Sequence, residues 1–276
     1  MNMKRILAAA ALAGFIAGPA ALAGRSLTIK GSDTMVILAQ RWAEKYMGSH
    51  ADVVLQVTGG GSGVGIAALI NGTTDIATAS RKMTQDEKLK LRDRYQTMGV
   101  EIPTAKDGLS VYLNEKCPVR ELTFDQLKLI YTGKITNWKE VGGSDARITL
   151  YSRENSSGTY AFFKEVVLGG ADYAPNCQTL PGTAAVVNAV AQDEDGIGYG
   201  GAAYAKGIRD CAVKRDAQSP AVLPNAATVK DGSYPLSRSL FFYLRKSPVG
   251  DMKKFVDWVL SPEGQALATE VGYFPL

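Results

Sequence analysis

The chain has 276 residues, with 31 Lys and Arg against 27 Asp and Glu, a net charge of +4 and a single histidine. So near a balance of charge excludes a nucleic-acid coat or an acidic tail, and no nucleic-acid partner is expected. The length admits one large domain or two smaller ones, and three cysteines leave at least one thiol unpaired.

Lys4 and Arg5 precede an apolar, Ala-rich run from Ile6 to Ala17. Gly18-Pro19 breaks the run, and Ala21-Leu22-Ala23 is a small-x-small cleavage site. Together these predict a secretory signal peptide over residues 1–23. The apolar run is shorter than the roughly 20 residues that span a bilayer, and no cysteine near the cleavage site offers a lipid anchor. The mature chain, Gly24 to Leu276, would have 253 of the 276 residues, with 29 basic and 27 acidic. The expected destination is the periplasm, where disulfides can form. Cys177 and Cys211 both flank loop-like, polar segments and are the candidate pair, with Cys117 left over. Long Cys spacings and the lone His50 predict no metal site.

In chain order, Leu27-Thr28-Ile29 predicts a short strand. An amphipathic helix follows, with Met35, Leu38, Ala39, Trp42, Ala43 and Tyr46 on its apolar face and Asp33 or Thr34 as its natural N-cap. Asp52 to Thr58 predicts a buried strand. It leads through Gly59-Gly60-Gly61-Ser62-Gly63 into a short helix that Asn71-Gly72 closes in a left-handed cap. Asp75 to Ala79 is a third strand, running into Ser80-Arg81-Lys82. Thr84 with Glu87 and Thr123 with Gln126 are capping boxes that open two further helices. Val100 to Pro103 and Leu109 to Leu113 read as separate strands. Ile148 to Leu150 predicts a strand, then a polar turn, then a helix start at Ser157-Gly158-Thr159. Thr183 starts another helix, Gly196 to Tyr199 and Leu240 to Leu244 are strands, and Ser261-Pro262-Glu263 opens a last helix with proline at its first position. The stretch from Ser219 to Pro235 reads as a long surface connection. Strands and helices alternate throughout, which predicts α/β layers.

Four strand-to-helix turns carry similar chemistry: Gly31 to Met35, Gly59 to Gly65, Ser80-Arg81, and Arg153 to Thr159. Each offers hydroxyls, glycines or a guanidinium at the carboxyl end of a strand, where ligands of open α/β sheets bind. Helix starts present unpaired N–H groups and the positive end of the dipole, and a guanidinium adds a bidentate fork. For any one turn a capping role suffices. Four in one chain of this size point to a tetrahedral oxyanion. The glycine-rich run lacks the Gly-Lys-Ser/Thr of a phosphate-binding P-loop and the downstream acid of a dinucleotide site. His50 sits at a predicted helix end, no Gly-x-Ser-x-Gly elbow occurs, and no serine has a base at dyad spacing. No catalytic residue is therefore assigned.

In this order the motifs resemble the exported phosphate-binding proteins of high-affinity phosphate ABC transporters, over nearly the whole mature chain. Arg153-x-x-x-Ser157-Gly158-Thr159 is the most specific piece. Gly31-Ser32-Asp33-Thr34, Gly60-Gly61-Ser62-Gly63, the run from Asp75 to Arg81 and Ile130-Tyr131-x-Gly133-x-Ile135-x-x-Trp138 support it. The resemblance implies a two-lobed periplasmic-binding-protein fold of type II character, with hinged lobes at 24–108 plus 236–276 and at 109–235. It implies inorganic phosphate as ligand, a membrane permease of an ABC transporter as partner, no cofactor, and a monomer. Carried over by position, Thr34, the Met35 N–H, Ser62 and Gly63 would bind phosphate from the first lobe, and Arg153, Ser157, Gly158 and Thr159 from the second. Ser80 and Arg81 would stand at the third turn. Arg81 occupies a place where well-known members carry an aspartate that accepts the ligand's proton. It cannot accept a hydrogen bond, so it is expected as a second anion fork, with Asp33 as either the replacement acceptor or a helix cap. Another tetrahedral oxyanion (sulfate, molybdate or tungstate), a phosphate sensor, or an exported phosphate-processing enzyme are the alternatives. The missing histidine base speaks against the last.

Overall fold

A computed structural model describes residues 25–276, and the predicted leader lies outside them. The first part of the described chain alternates β1 (Arg25–Gly31), α1 (Val36–Ser49), β2 (Val53–Thr58), α2 (Ser62–Asn71), β3 (Ile76–Ala79) and α3 (Gln85–Tyr95). β1 is the middle strand and pairs in parallel with both β2 and β3. The six residues predicted for the apolar face of the following helix, Met35 just ahead of α1 and Leu38, Ala39, Trp42, Ala43 and Tyr46 on it, are all buried. Thr84 and Glu87 form the predicted capping box of α3, and Gly72 closes α2 in the left-handed region at φ 77°.

Next comes β4 (Val100–Leu113), a single strand of 14 residues where the sequence suggests two. Pro103 is what divides it in sequence. The strand tolerates it because its register against the last strand shifts there, leaving Thr104 as an extra residue; a bulge of this kind is where a missing N–H is accommodated. The chain continues through β5 (Glu121–Thr123), α4 (Phe124–Tyr131), β6 (Thr149–Arg153), α5 (Gly158–Val166), β7 (Gln178–Leu180), α6 (Gly182–Gln192), β8 (Gly196–Gly201) and β9 (Arg209–Lys214). It ends with α7 (Ala226–Lys230), β10 (Ser237–Leu244), α8 (Gly250–Leu260) and α9 (Pro262–Val271). Thr123 and Gln126 cap α4 as predicted, and Pro262 is at the first position of α9. The predicted surface connection contains α7, which Asn225 caps from a side chain among prolines.

Strand order is β2-β1-β3-β10-β4-β8-β6-β7, with β9 alongside β4 and β5 beside β9. Two cores divide this sheet between two lobes. In one lobe Trp42, Tyr46, Phe242, Phe255 and Tyr273 pack together. In the other, Tyr131, Trp138, Phe163 and Tyr199 do so. Both lobes also bury a second face, through Ile66, Leu69 and Tyr243 in the first and Tyr112, Val186 and Val190 in the second. β4 contributes Ala105 to the first core and Leu109 to the second; the segment around β10 contributes Leu240 to the first and Leu236 to the second. Asp107 and Arg238 occupy the interval between the cores on these two strands, directly opposite each other.

All three cysteines are free thiols, so the expected Cys177–Cys211 bridge is not formed. Both pack with the second core, Cys211 within it and Cys177 partly buried against it. Cys211 lies in β9 opposite Val111, inside the second core with Cys117. Cys177 lies beside Ser152 just ahead of β7. Burial pushes both thiols up to about 12, which disfavours the reactive thiolate.

Candidate functional site

The four predicted turns meet between the lobes. The first leaves β1 at Gly31, whose φ is 146° and where a β-carbon would lie 2.2 Å from the Thr78 carbonyl, so only glycine lets β1 pass β3 there. Neither Asp33 nor Thr34 caps α1. They form a short 3-10 turn, Asp33–Met35, and Met35 stands at the N-cap with no side-chain bond. Partners from elsewhere in the chain outcompete the local cap. The Asp33 carboxylate accepts from the Gly60 N–H at 2.8 Å and from Arg153 Nη2 at 2.9 Å. The Thr34 hydroxyl meets that of Thr159 at 2.8 Å. Tyr204 and Tyr273 donate to the Asp33 and Thr34 carbonyls.

The second turn joins the fourth. The Gly63 N–H donates to the Ser156 carbonyl at 2.8 Å, and Ser156 Oγ donates to the Gly60 carbonyl at 3.1 Å. Gly61, at φ 96°, lies so close that a β-carbon would be 2.6 Å from the Ser156 carbonyl oxygen. Ser62, first in α2, accepts the Ser80 N–H at 3.0 Å, and the two hydroxyls are 3.4 Å apart. On the far side Ser157 caps α5, accepting from the Thr159 and Tyr160 N–H groups. Thr34, Ser62, Ser80 and Thr159 are all 1% exposed or less. Thus four buried hydroxyls from both lobes face one small region.

Other predicted donors are placed differently. The Met35 N–H closes its turn on the Ser32 carbonyl at 2.9 Å, and the Gly63 N–H is held by Ser156 as described. Arg153 is buried, and each of its nitrogens donates within the protein: Nε to Glu154, Nη1 to Thr183, and Nη2 to both Asp33 and Glu154. Arg81 turns to Glu87 in a bidentate pair at 2.7 and 2.8 Å and also reaches the Lys82 carbonyl. Asp33, the candidate proton acceptor, has a donor on each oxygen. Burial raises its carboxyl above the ordinary value, against the pull of Gly60 and Arg153 and with help from nearby Glu154. Burial acts in the same sense on Glu154, but Arg153 outweighs it and holds that carboxyl low. His50 stacks on the Tyr46 ring at the end of α1, an ordinary structural histidine.

Glu87 offers a direct test of the Arg81 placement. Burial alone would raise its carboxyl, but Arg81 and the Thr84 N–H outweigh burial and hold it below its usual value. A carboxyl lowered by folding adds stability above its unfolded pKa and loses it as pH falls through the folded one. Glu87→Gln should therefore cost about 1 kcal/mol at neutral pH. In urea titrations that cost should shrink once pH drops below about 4.3. An equal cost at both pH values would mean that the ion pair contributes nothing.

Two functional candidates were not visible in the sequence. Arg238 donates from Nε and Nη2 to Asp107 Oδ2 at 3.0 and 2.7 Å. Its Nη2 also donates to Thr159 Oγ1 at 3.0 Å, with Thr34 Oγ1 at 3.5 Å. Asp107 is 1% exposed and Arg238 7%. Burial raises the Asp107 carboxyl, while Arg238 and the Ala202 N–H pull it down. The one available signal was a charge in each of two strands, Asp107 in β4 and Arg238 in β10. A cleft of about 690 Å³ opens beside this group, lined by Ser80, Arg81, Met83, Phe162, Arg238 and Phe241. Among the described residues no group of three or more His, Cys, Asp or Glu could hold a metal.

Known proteins share this arrangement of chain. The PBP superfamily domain matches residues 18–263. The phosphate-binding protein PstS of Pseudomonas aeruginosa is 32% identical, over 91% of this chain and 83% of its own. That of Staphylococcus epidermidis is 35% identical, over 88% and 77%. A substrate-binding protein from Clostridium perfringens, crystallised with bound phosphate, superposes with a TM-score of 0.83 at 31% identity, covering 91% of this chain and all of that one. An ABC-type phosphate transport receptor from Vibrio cholerae gives 0.74 at 29% identity, with 91% and 100% covered. With a two-lobed fold, hydroxyl-bearing helix starts converging from both lobes and relatives matched along most of their length, this chain belongs to the PBP superfamily and, within it, to the PstS phosphate-binding proteins.

Proposed function

We propose that the protein captures inorganic phosphate between its lobes and delivers it to the membrane permease of an ABC importer, doing no chemistry on it. The observation that carries this reading is the meeting of Thr34, Ser62, Ser80 and Thr159, four buried hydroxyls on turns from both lobes. Phosphate would enter between these hydroxyls, with the Gly158 N–H at the start of α5 added to them; the Ser157 and Thr159 N–H groups are already held by the Glu154 carbonyl and by Ser157 Oγ. Such donors match the tetrahedral array of an oxyanion. The lobes are 24–108 with 236–276, and 109–235. β4 and the approach to β10 are the two crossovers about which they hinge, and closure is the form the permease reads. The predicted leader would carry the protein to the periplasm, where it acts as a monomer.

Calorimetry tests the reading on protein stripped of bound ligand and titrated with phosphate, then sulfate. Tight phosphate binding with sulfate much weaker is the expected result. Tight sulfate binding with no heat from phosphate would replace phosphate by another oxyanion.

A further inference from the structure

The turn that carries Thr34 is held at two successive carbonyls by two tyrosines, one from each lobe. Tyr273 belongs to the core of the first lobe, where it is 1% exposed, and donates to the Thr34 carbonyl. Tyr204 ends a 3-10 turn, Ala202–Tyr204, that follows β8, and its hydroxyl donates to the Asp33 carbonyl at 2.6 Å. These two carbonyls belong to the two peptides that flank Thr34. A peptide is planar, so fixing both planes leaves Thr34 little freedom in φ or ψ and sets where its side chain leaves the backbone.

Tyr204 reaches this turn from the second lobe. It packs there against the cluster of Tyr112, Val186 and Val190. The Tyr112 hydroxyl donates to the Gly201 carbonyl at 2.6 Å, which fixes the start of the 3-10 turn to the same lobe. Its other residues face the first lobe. Ala203 packs against that lobe's core, and the Ala202 N–H donates to Asp107. A β-carbon on Gly201 would lie 3.1 Å from Thr34 Cγ2, so the two lobes are in close contact here. Burial pushes the Tyr204 hydroxyl up to about 12, against the pull of the Ile37 N–H, and it stays a donor at neutral pH.

We propose that Tyr204 is a positioning residue for anion capture: on closure its hydroxyl pins the peptide between Asp33 and Thr34, and so presents the Thr34 hydroxyl to the anion. The assignment rests on the reading of the cleft as a phosphate site and on the division into lobes. It gives different work to two tyrosines that make the same bond to one turn. Tyr273 holds the turn whether or not the lobes are together, and Tyr204 holds it only when they are.

The test is phosphate calorimetry with thermal melting on wild type, Tyr204→Phe, Tyr273→Phe, Thr34→Val, Ser62→Ala, and Tyr204→Phe combined with each of the last two. Tyr204→Phe keeps the packed ring, so ligand-free protein should melt as wild type does, while phosphate binds about tenfold more weakly. Tyr273→Phe should lower the melting temperature of ligand-free protein as well, because its bond lies within one lobe. Since Tyr204 acts through Thr34, Tyr204→Phe should have no further effect beside Thr34→Val and should keep its full effect beside Ser62→Ala. Where a combined variant binds too weakly for calorimetry, the rise of melting temperature with phosphate concentration gives the same comparison. The positioning role would be overturned, with phosphate capture intact, by any of three results for Tyr204→Phe: a lower ligand-free melting temperature, an affinity within about twofold of wild type, or equal losses beside Thr34→Val and Ser62→Ala. A wild type that takes up no phosphate would instead remove the functional reading, and the positioning role with it.

Discussion

Replacing Gly158 by alanine should weaken phosphate binding by about 100-fold or more, or roughly 2.7 kcal/mol, without weakening the fold. Gly158 is the first residue of α5, and a β-carbon there would lie 2.3 Å from Ser62 Oγ and 2.7 Å from Ser80 Oγ. Those hydroxyls cannot swing clear. Both residues are fully buried, and Ser62 Oγ is fixed by the Ser80 N–H. The lobes would have to stop short of closure, and donors on opposite lobes would no longer reach one anion. Within the second lobe, however, alanine is a better helix former than glycine. The expected signature is therefore a melting temperature equal to or above wild type together with a large loss in calorimetric affinity. An alanine variant binding within tenfold of wild type would mean that the liganded lobes do not approach as closely as this.

Trp42→Ala should show the opposite signature, a large loss of stability of about 3–5 kcal/mol. Trp42 is fully buried on α1. Its ring meets Phe242 of β10 edge-on at 5.8 Å, and its Nε1 donates to the Gly264 carbonyl of α9 at 2.8 Å. One side chain thus joins a helix, the strand returning from the second lobe and the last helix, and its removal leaves both a cavity and an unpaired carbonyl. Because phosphate would bind only the folded form, a free concentration 100 times the dissociation constant should restore about 2.7 kcal/mol. Denaturant titrations with and without phosphate would check both figures. A loss below about 1 kcal/mol would show that the lobe repacks around the gap.

Much of the architecture is legible in the chain because it is governed by neighbours. The apolar face of α1, the capping boxes at Thr84 and Thr123 and the left-handed closure at Gly72 depend on residues within about four positions, so spacing reveals them. Pro103 divides β4 in the sequence but not in the fold, since a bulge that relieves a proline belongs to the pairing of two strands and not to either one. α7 is hidden in a Pro-rich stretch because its capping box pairs Asn225 with Thr228 rather than with a Glu or Gln. The flanks of Cys177 and Cys211 are alike and both thiols reach one core, yet they stay unbonded, because pairing needs a separation that flanking residues do not encode.

The candidate site divides in the same way. The four turns could be found from glycines, hydroxyls and strand ends, but what each side chain does there could not. Asp33 and Thr34 look like helix caps and instead reach Arg153 and Thr159, 120 and 125 residues away. Arg81 looks like an anion fork and is held by Glu87, six positions on, which competes for the same guanidinium. Arg238 and Asp107 look like stray charges in two strands until the strands are placed in register, 131 residues apart. The sequence by itself determined the layers, the turns and the kind of ligand chemistry they favour, because backbone geometry and capping are local. Tertiary structure alone decided which hydroxyls share a region and which partners Arg153 and Arg238 meet, because a buried hydrogen bond depends on what the fold brings within about 3 Å of it.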